Sequence, residues 1–371
     1  MIYFDNASTG GFKISAVTET ATNLIKHLNA NPGRSSHRLS IKGAELVYNA
    51  RKTIATTFNA PSENNVVFTA NCTQALNTAI FGTVRRGGHV ITTVYEHNSV
   101  LRPLRFLESI NVITLTIVKP INGDFTKPVL DALQKNTYLV VINGASNVTG
   151  EVTLWQDLAL PLKAKGVLLL IDGAQLAGHK KIDLASENIS MLALAGHKAL
   201  GGIAGSGALI LGENVECEPF IMGGTGTETF STLQPRSMPE RLESGSLNLP
   251  AIASFGEAVE YSSSNILHFS EMLLNKTEYL IDALKRINGC TVYSKPNQCG
   301  IVSFNLRGYP SSDLSYMLSE NFDIATRGGY HCAPLMHEFL GTKKSGTVRV
   351  SLCAQNVTSE IDELISAIKS I

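Results

Sequence analysis

Short runs of Val, Ile and Leu, regularly spaced, set the fold. VVFTA (66–70), HVITTV (89–94), VITLTIV (112–118), YLVVINGAS (138–146), VLLLIDGA (167–174), LALAG (192–196) and GALILG (207–212) are separated by stretches with helical periodicity. Runs of this length and composition read as strands buried on both faces. Helices between them imply crossover connections, so the expected architecture is α/β, a mainly parallel sheet sandwiched by helices. The texture changes near Pro250. A long helical pattern, Ala251 to Asn288, leads to GIVSFNL (300–306), a helix over Ser312 to Asn321, TVRVSL (347–352) and a C-terminal helix. That order predicts a smaller α+β domain. The division expected is 13–249 for the large domain, with 1–12 and 250–371 forming the small one.

Charge and cysteine usage narrow the function. The chain has 31 Lys+Arg against 31 Asp+Glu, so its formal net charge is zero. No basic footprint for nucleic acid or an anionic membrane follows from that balance. The apolar runs are too short to span a bilayer. The start MIYFDNASTG lacks the basic and apolar segments of a signal peptide, and the expected location is the cytoplasm. Six cysteines without CxxC spacing suggest neither a zinc site nor a disulfide framework, and no metal is expected.

In open α/β sheets, ligands bind beyond the carboxyl ends of the strands. Polar residues gather at several such ends. Asn71, Cys72 and Thr73 follow the first run and open a helix, where free N–H groups and a hydroxyl suit a phosphate. Glu96, His97 and Asn98 follow the second. Asn147 follows YLVVINGAS, Asp172 and Gln175 follow VLLLI, and His197 and Lys198 follow LALAG. Singly, these could be turn formers, helix caps or structural histidines. The joint pattern asks for one explanation, and the lysine gives it. An amine set among apolar neighbours loses hydration, which favours its neutral, nucleophilic form. Such an amine forms a Schiff base with an aldehyde, and pyridoxal phosphate is the aldehyde cofactor proteins hold this way. Asp172 is placed to partner the pyridine nitrogen, His97 to cover the ring, and Thr73 to help cradle the phosphate.

The motifs YFDNAST, GRSSHRLS, NCTQALN, EHNSVLRP, GASNVTG, IDGAQ, GHK, GGTGTE, RLESGSLN, RGGYHCAP and TVRVSL run almost end to end. With them the chain resembles the class V, fold-type I pyridoxal-phosphate enzymes, and within these the group II (Suf-type) cysteine desulfurase/selenocysteine lyase group. The resemblance implies that Lys198 is the Schiff-base lysine and Asp172 the partner of the ring nitrogen. It places His97 on the ring, Asn147 and Gln175 near the phenolic oxygen, Thr73 and His197 at the phosphate, and Cys72 also at the cofactor. Gly224 and Thr225 would reach the phosphate of a neighbouring subunit in a homodimer. Arg349 would clamp the substrate carboxylate, Asn147 and Arg327 would also bind the substrate, and Cys332 would accept sulfur. Two positions depart from the family. Ala195 stands where relatives usually have Ser or Thr, which removes a cradle hydroxyl worth about 1 kcal/mol, and Ile203 replaces a common proline. Weaker cofactor retention is the expectation.

The activity implied is removal of sulfur from L-cysteine, giving L-alanine and a persulfide on Cys332 that passes to an acceptor protein. Cys332 follows Arg327, Gly328, Gly329, Tyr330 and His331 in a non-periodic segment, a setting unlike that of the other five cysteines. Selenocysteine lyase action and class V aminotransfer are the alternatives within the fold, and transamination has no need of Cys332. A non-catalytic phosphate-ligand-binding protein is the alternative outside it. There the glycines after Lys198 would form a phosphate loop, but GHKALGG reverses the order in which such a loop carries its lysine.

Overall fold

The structure is a computed structural model that describes residues 1–28 and 30–371. Strand β1 (Ile2–Tyr3) is followed by helices α1 (Ser15–His27) and α2 (Arg38–Thr57). The large domain continues through β2 (Val66–Thr69), α3 (Cys72–Gly82), β3 (Gly88–Thr93), α4 (Asn98–Ser109), β4 (Ile113–Val118), α5 (Thr126–Asp131), β5 (Thr137–Asn143), α6 (Gln156–Ala164), β6 (Leu168–Asp172), β7 (Met191–Ala195) and β8 (Gly207–Leu211). Strands β2 to β8 form one seven-stranded sheet in the order β2-β8-β7-β6-β5-β3-β4. All its pairings are parallel except those of β8 with β2 and with β7. The parallel strands therefore deliver their carboxyl ends to one edge. The glycine-rich segment after β7 turns the chain back into the antiparallel β8, and Lys198 lies at the start of that reversal.

Alternate residues along the central strands feed different cores. Ile91, Ile142 and Ile171 join one apolar cluster, while Val90, Val141 and Leu170 join the other. A strand with both faces buried has no polar face to show, which is why the sequence reads as continuous apolar runs.

Beyond the large sheet come α7 (Leu249–Ser264), α8 (Ile266–Lys285), β9 (Cys290–Val292), β10 (Ile301–Leu306), α9 (Ser311–Phe322), β11 (Ile324–Ala325), β12 (Arg327–Gly329), α10 (Pro334–Phe339), β13 (Thr347–Ser351) and α11 (Thr358–Ser370). Strands β12-β13-β10-β9 make an antiparallel sheet, and β1 pairs in parallel with β11. The helix expected over 251–288 is two helices. Asn265 leaves the helical region at φ −111° and ψ 4°, and its Nδ2 donates to the Tyr261 carbonyl at 2.8 Å. That side-chain bond competes with the helical ladder and ends α7. Helix α7 packs Ile252, Phe255 and Val259 into the same cluster as the large sheet. No helix among the described residues is long and apolar enough to cross a membrane.

The segment between β8 and α7 has little regular structure, and one buried ion pair fastens it. Arg51 in α2 meets Glu243 through two bonds of 2.8 Å, with side-chain exposures of 7% and 6%. Glu243 also accepts from the Phe68 amide at 2.6 Å. Removing one partner strands the other charge in the interior, at a cost of about 3–5 kcal/mol. Glu243→Leu alone is expected to lower the thermal midpoint strongly, and adding Arg51→Met to recover much of the loss. Thermal melting of both variants checks this, and equal losses would show that the stranded Arg51 charge does not carry the cost.

Candidate active site

The strand-end residues converge on a cavity of about 230 Å³ whose lining includes Thr73, His97, Asp172, Lys198, Arg327 and Arg349. Cys72, Asn147, Gln175, Ala195 and His197 line it as well. Asn71 caps α3 by accepting from the Gln74 amide at 2.9 Å, so the helix starts at the cavity with its first amides free. His97 caps α4 in the same way, its Nδ1 accepting from the Ser99 amide at 3.0 Å.

Asp172 is 3% exposed, and its Oδ1 accepts from the Ala174 amide at 3.0 Å and the Cys72 thiol at 3.5 Å. Cys72 thus turns toward the carboxylate, and burial pushes its thiol well above the usual range. Desolvation lowers the pKa of Lys198 against the opposing pull of Asp172. No group among the described residues accepts a hydrogen bond from its ammonium. Burial also drives the His97 imidazole down to about 4, although Asp172 resists. The same cause takes His197 down to about 4, helped by Lys198.

The N-terminal segment closes over this edge, a role with no periodicity to announce it. Gly10 donates to the His197 carbonyl at 2.9 Å, and a Cβ on Gly10 would sit 2.8 Å from the Lys198 carbonyl oxygen. Gln175 Nε2 donates to the Ala7 carbonyl at 2.8 Å. Ser8 Oγ accepts from Arg327 Nη1 at 2.8 Å and from Arg349 Nη2 at 2.9 Å. Arg349, 1% exposed, also donates from Nη2 to Asp5 Oδ1 at 2.8 Å and from Nη1 to the Asn147 carbonyl at 3.0 Å. Its Nε is buried without a partner among the described residues, as is Asn147 Oδ1. Sequence reasoning missed Asp5 and Ser8. Their partners lie more than 300 positions away in the chain.

Cys332 is exposed, in a segment tied down by its backbone. The Cys332 carbonyl accepts from the Asn98 amide at 2.8 Å, and the His331 carbonyl from Asn147 Nδ2 at 2.6 Å. His331 and Cys332 have φ of 49° and 58°, a left-handed pair that turns the segment back. The thiol is within electrostatic reach of Arg349. Thr225 lies outside this cavity, in a groove with Arg34, Arg51 and Glu243.

The Aminotransferase class-V family profile matches residues 2–364. The chain belongs to the class-V aminotransferase family. It is 31% identical over its full length to a probable cysteine desulfurase of Methanothermobacter thermautotrophicus, covering 94% of that protein. It is 28% identical to a cysteine desulfurase of Escherichia coli, covering 93% of it. The solved apo structure of a cysteine desulfurase from Thermococcus onnurineus superposes with a TM-score of 0.91 at 27% identity, over 100% of this chain and 94% of that one. In this class-V enzyme the cavity is lined by Asn71, Cys72, Thr73, His97, Asn147, Asp172, Gln175, His197 and Lys198 from the strand ends, while Glu96 and Asn98 lie outside its lining.

Glu96, beside His97, is a further buried acid. Its Oε1 accepts from Thr93 Oγ1 at 2.7 Å and the Asn143 amide at 2.9 Å, while Oε2 has no partner among the described residues. Desolvation raises its carboxyl from 4.5 to about 8. The folded state therefore keeps a proton that the unfolded state releases between those values, so this contribution to stability is full below pH 4.5 and falls as pH rises through 8. Glu96→Gln cannot titrate. Wild type is expected to lose several degrees of thermal midpoint relative to Glu96→Gln between pH 5.5 and 8. Parallel melting curves at the two pH values would assign the proton elsewhere.

Proposed function

We propose that the protein is a pyridoxal-phosphate-dependent cysteine desulfurase, converting L-cysteine to L-alanine with a persulfide on Cys332. The observation that carries this reading is the meeting of Lys198, Asp172, His97 and Arg349 in one cavity beside the Cys332 segment. The donor set fits the cofactor. Lys198 would hold it covalently, Asp172 would face its ring nitrogen, His97 would cover the ring, and Thr73 with the α3 amides and His197 would hold its phosphate. Once bound, pyridoxal phosphate supplies an electron sink that eases loss of a proton from the substrate Cα.

The chain's own residues do the rest. Arg349 grips the substrate carboxylate, and Arg327 adds charge beside it. The grip requires an exchange. Both two-donor edges of a guanidinium include Nη2, whose hydrogens are given to Asp5 and Ser8. The entering carboxylate therefore takes over one of those bonds and gains the free Nε. Lys198, its pKa lowered by burial, is the base for the Cα proton. Cys332 attacks the substrate sulfur as a thiolate, so an S–S bond forms as the C–S bond breaks. The electron pair of the broken bond stays on Cβ and takes up a proton there, and Lys198 returns the proton to Cα, giving alanine. The terminal persulfide sulfur awaits an acceptor protein or a reductant, and the exposure of Cys332 leaves room for either.

A homodimer fits the same reading. Phe220, Ile221, Met222, Phe230 and Leu233 are exposed on either side of Gly224 and Thr225, and Thr225 lies outside the cavity of its own chain. Large apolar side chains exposed together along one short segment suit an interface, and two-fold closure would carry Thr225 to a partner's phosphate.

Product analysis after cysteine turnover tests the assignment. Wild type is expected to yield alanine and to carry an added ~32 Da of sulfur on the Cys332 peptide. Cys332→Ala should keep the cofactor's visible absorption and lose nearly all alanine formation, and undiminished alanine from it would overturn the reading. The carboxylate grip has its own check. Arg349→Lys loses the planar fork and should raise KM at least tenfold while cofactor content is unchanged. Steady-state kinetics with an unaltered KM would return Arg349 to a purely structural role.

A further inference from the structure

Ser99 Oγ lies 2.8 Å from Thr73 Oγ1 and 2.8 Å from His97 Nδ1, deep in the active-site cavity at 8% exposure. The direction of these bonds follows from a third. The Ser99 backbone N–H also reaches Nδ1, at 3.0 Å. A backbone N–H can only donate, so Nδ1 carries no proton and the ring hydrogen sits on Nε2. The Ser99 hydroxyl therefore donates to Nδ1, and the Thr73 hydroxyl donates to Ser99 Oγ. Thr73 and Ser99 are each the second residue of a helix, α3 and α4, so the contact joins two helix N-termini whose partial positive charge faces the cavity. Ala195 lines the same cavity and brings no hydroxyl.

We propose that Ser99 is a positioning residue of the phosphate cradle, supplying through Thr73 the hydroxyl that position 195 lacks. A phosphate that accepts from the Thr73 hydroxyl takes that proton away from Ser99 Oγ. The Ser99 hydroxyl can then swing to Thr73 Oγ1, because Nδ1 keeps the backbone N–H. Thr73 becomes a donor to the anion and an acceptor from Ser99, and hydrogen bonds in such a chain strengthen one another. Ser99 thus links the group that holds the phosphate to the histidine that covers the ring. The proposal rests on the reading that this cavity takes pyridoxal phosphate.

Equilibrium binding in the Lys198→Ala background, where no covalent bond forms, tests it with two probes, pyridoxal phosphate and pyridoxal. Ser99→Ala is expected to weaken pyridoxal phosphate about fivefold, the worth of one neutral hydrogen bond, and to leave pyridoxal unchanged. Ser99→Thr should bind like the parent. Ala195→Ser should restore most of the loss in Ser99→Ala and gain less when Ser99 is present, a coupling that a folding defect would not produce. No change on Ser99→Ala, or equal weakening of both probes, overturns the proposal alone. A Lys198→Ala protein that binds neither probe overturns the cofactor reading with it.

Discussion

A guanidinium buried to 1% exposure is the constraint on which this site depends. Arg349 rises from β13, yet its partners come from elsewhere: the Asn147 carbonyl after β5, and Asp5 and Ser8 in the N-terminal segment. A buried charge without partners costs several kcal/mol, so the interior is stable only when all three pieces are in place. The backbone reinforces the arrangement, since Ser351 donates to the Phe4 carbonyl at 2.7 Å and its hydroxyl accepts from the Ala7 amide at 2.9 Å. Arg349 and the Lys198 edge of the large sheet therefore share one support, the chain start held between the two sheets.

That geometry explains what could be read from the sequence. Asp172 and Lys198 were legible because parallel strands end on a common edge, so a polar residue after an apolar run is placed by topology alone. His97, Asn147 and Thr73 follow the same logic. Asp5, Ser8 and Ser99 were not legible, because each acts through a partner's side chain and no local period records that partner. The break at Asn265 was missed for a related reason: a polar residue in a helical pattern can face solvent or bond its own backbone, and the pattern is the same. Thr225 was named from the family resemblance, and its place outside the cavity leaves that assignment to the dimer reading.

The Cys332 segment combines anchoring with freedom. Carbonyls of His331 and Cys332 fix it to Asn147 and to the start of α4, while the thiol itself remains exposed. Bonds made by the backbone survive any change of the side chain, so a sulfur atom can be added at Sγ without loosening the loop. The His331 imidazole adds a second anchor, its Nε2 lying 3.0 Å from Thr347 Oγ1 and 3.1 Å from the Thr347 carbonyl. The segment that carries the thiol is thus held to β13, the strand that bears Arg349, while Cys332 itself stays exposed.

The charge of the cavity has a source that titration near neutrality does not touch. Burial holds His97 and His197 at about 4 and pushes His331 lower still, so the three imidazoles contribute no positive charge in that range. Arginine keeps its charge throughout it. Arg327 and Arg349 line the cavity, while Asp172 is the carboxylate among its lining residues and Asp5 stands behind Arg349. A chain with zero formal net charge thus concentrates fixed positive charge where a phosphate and a carboxylate would enter. The helix N-termini at Thr73 and Ser99 add partial charges of the same sign. Attraction for a doubly anionic guest is therefore built from groups that stay charged, while the histidines stay neutral and keep one nitrogen as an acceptor. That division would let His97 rest against a cofactor ring, with Nδ1 held by Ser99, without repelling the protonated pyridine nitrogen that Asp172 would partner.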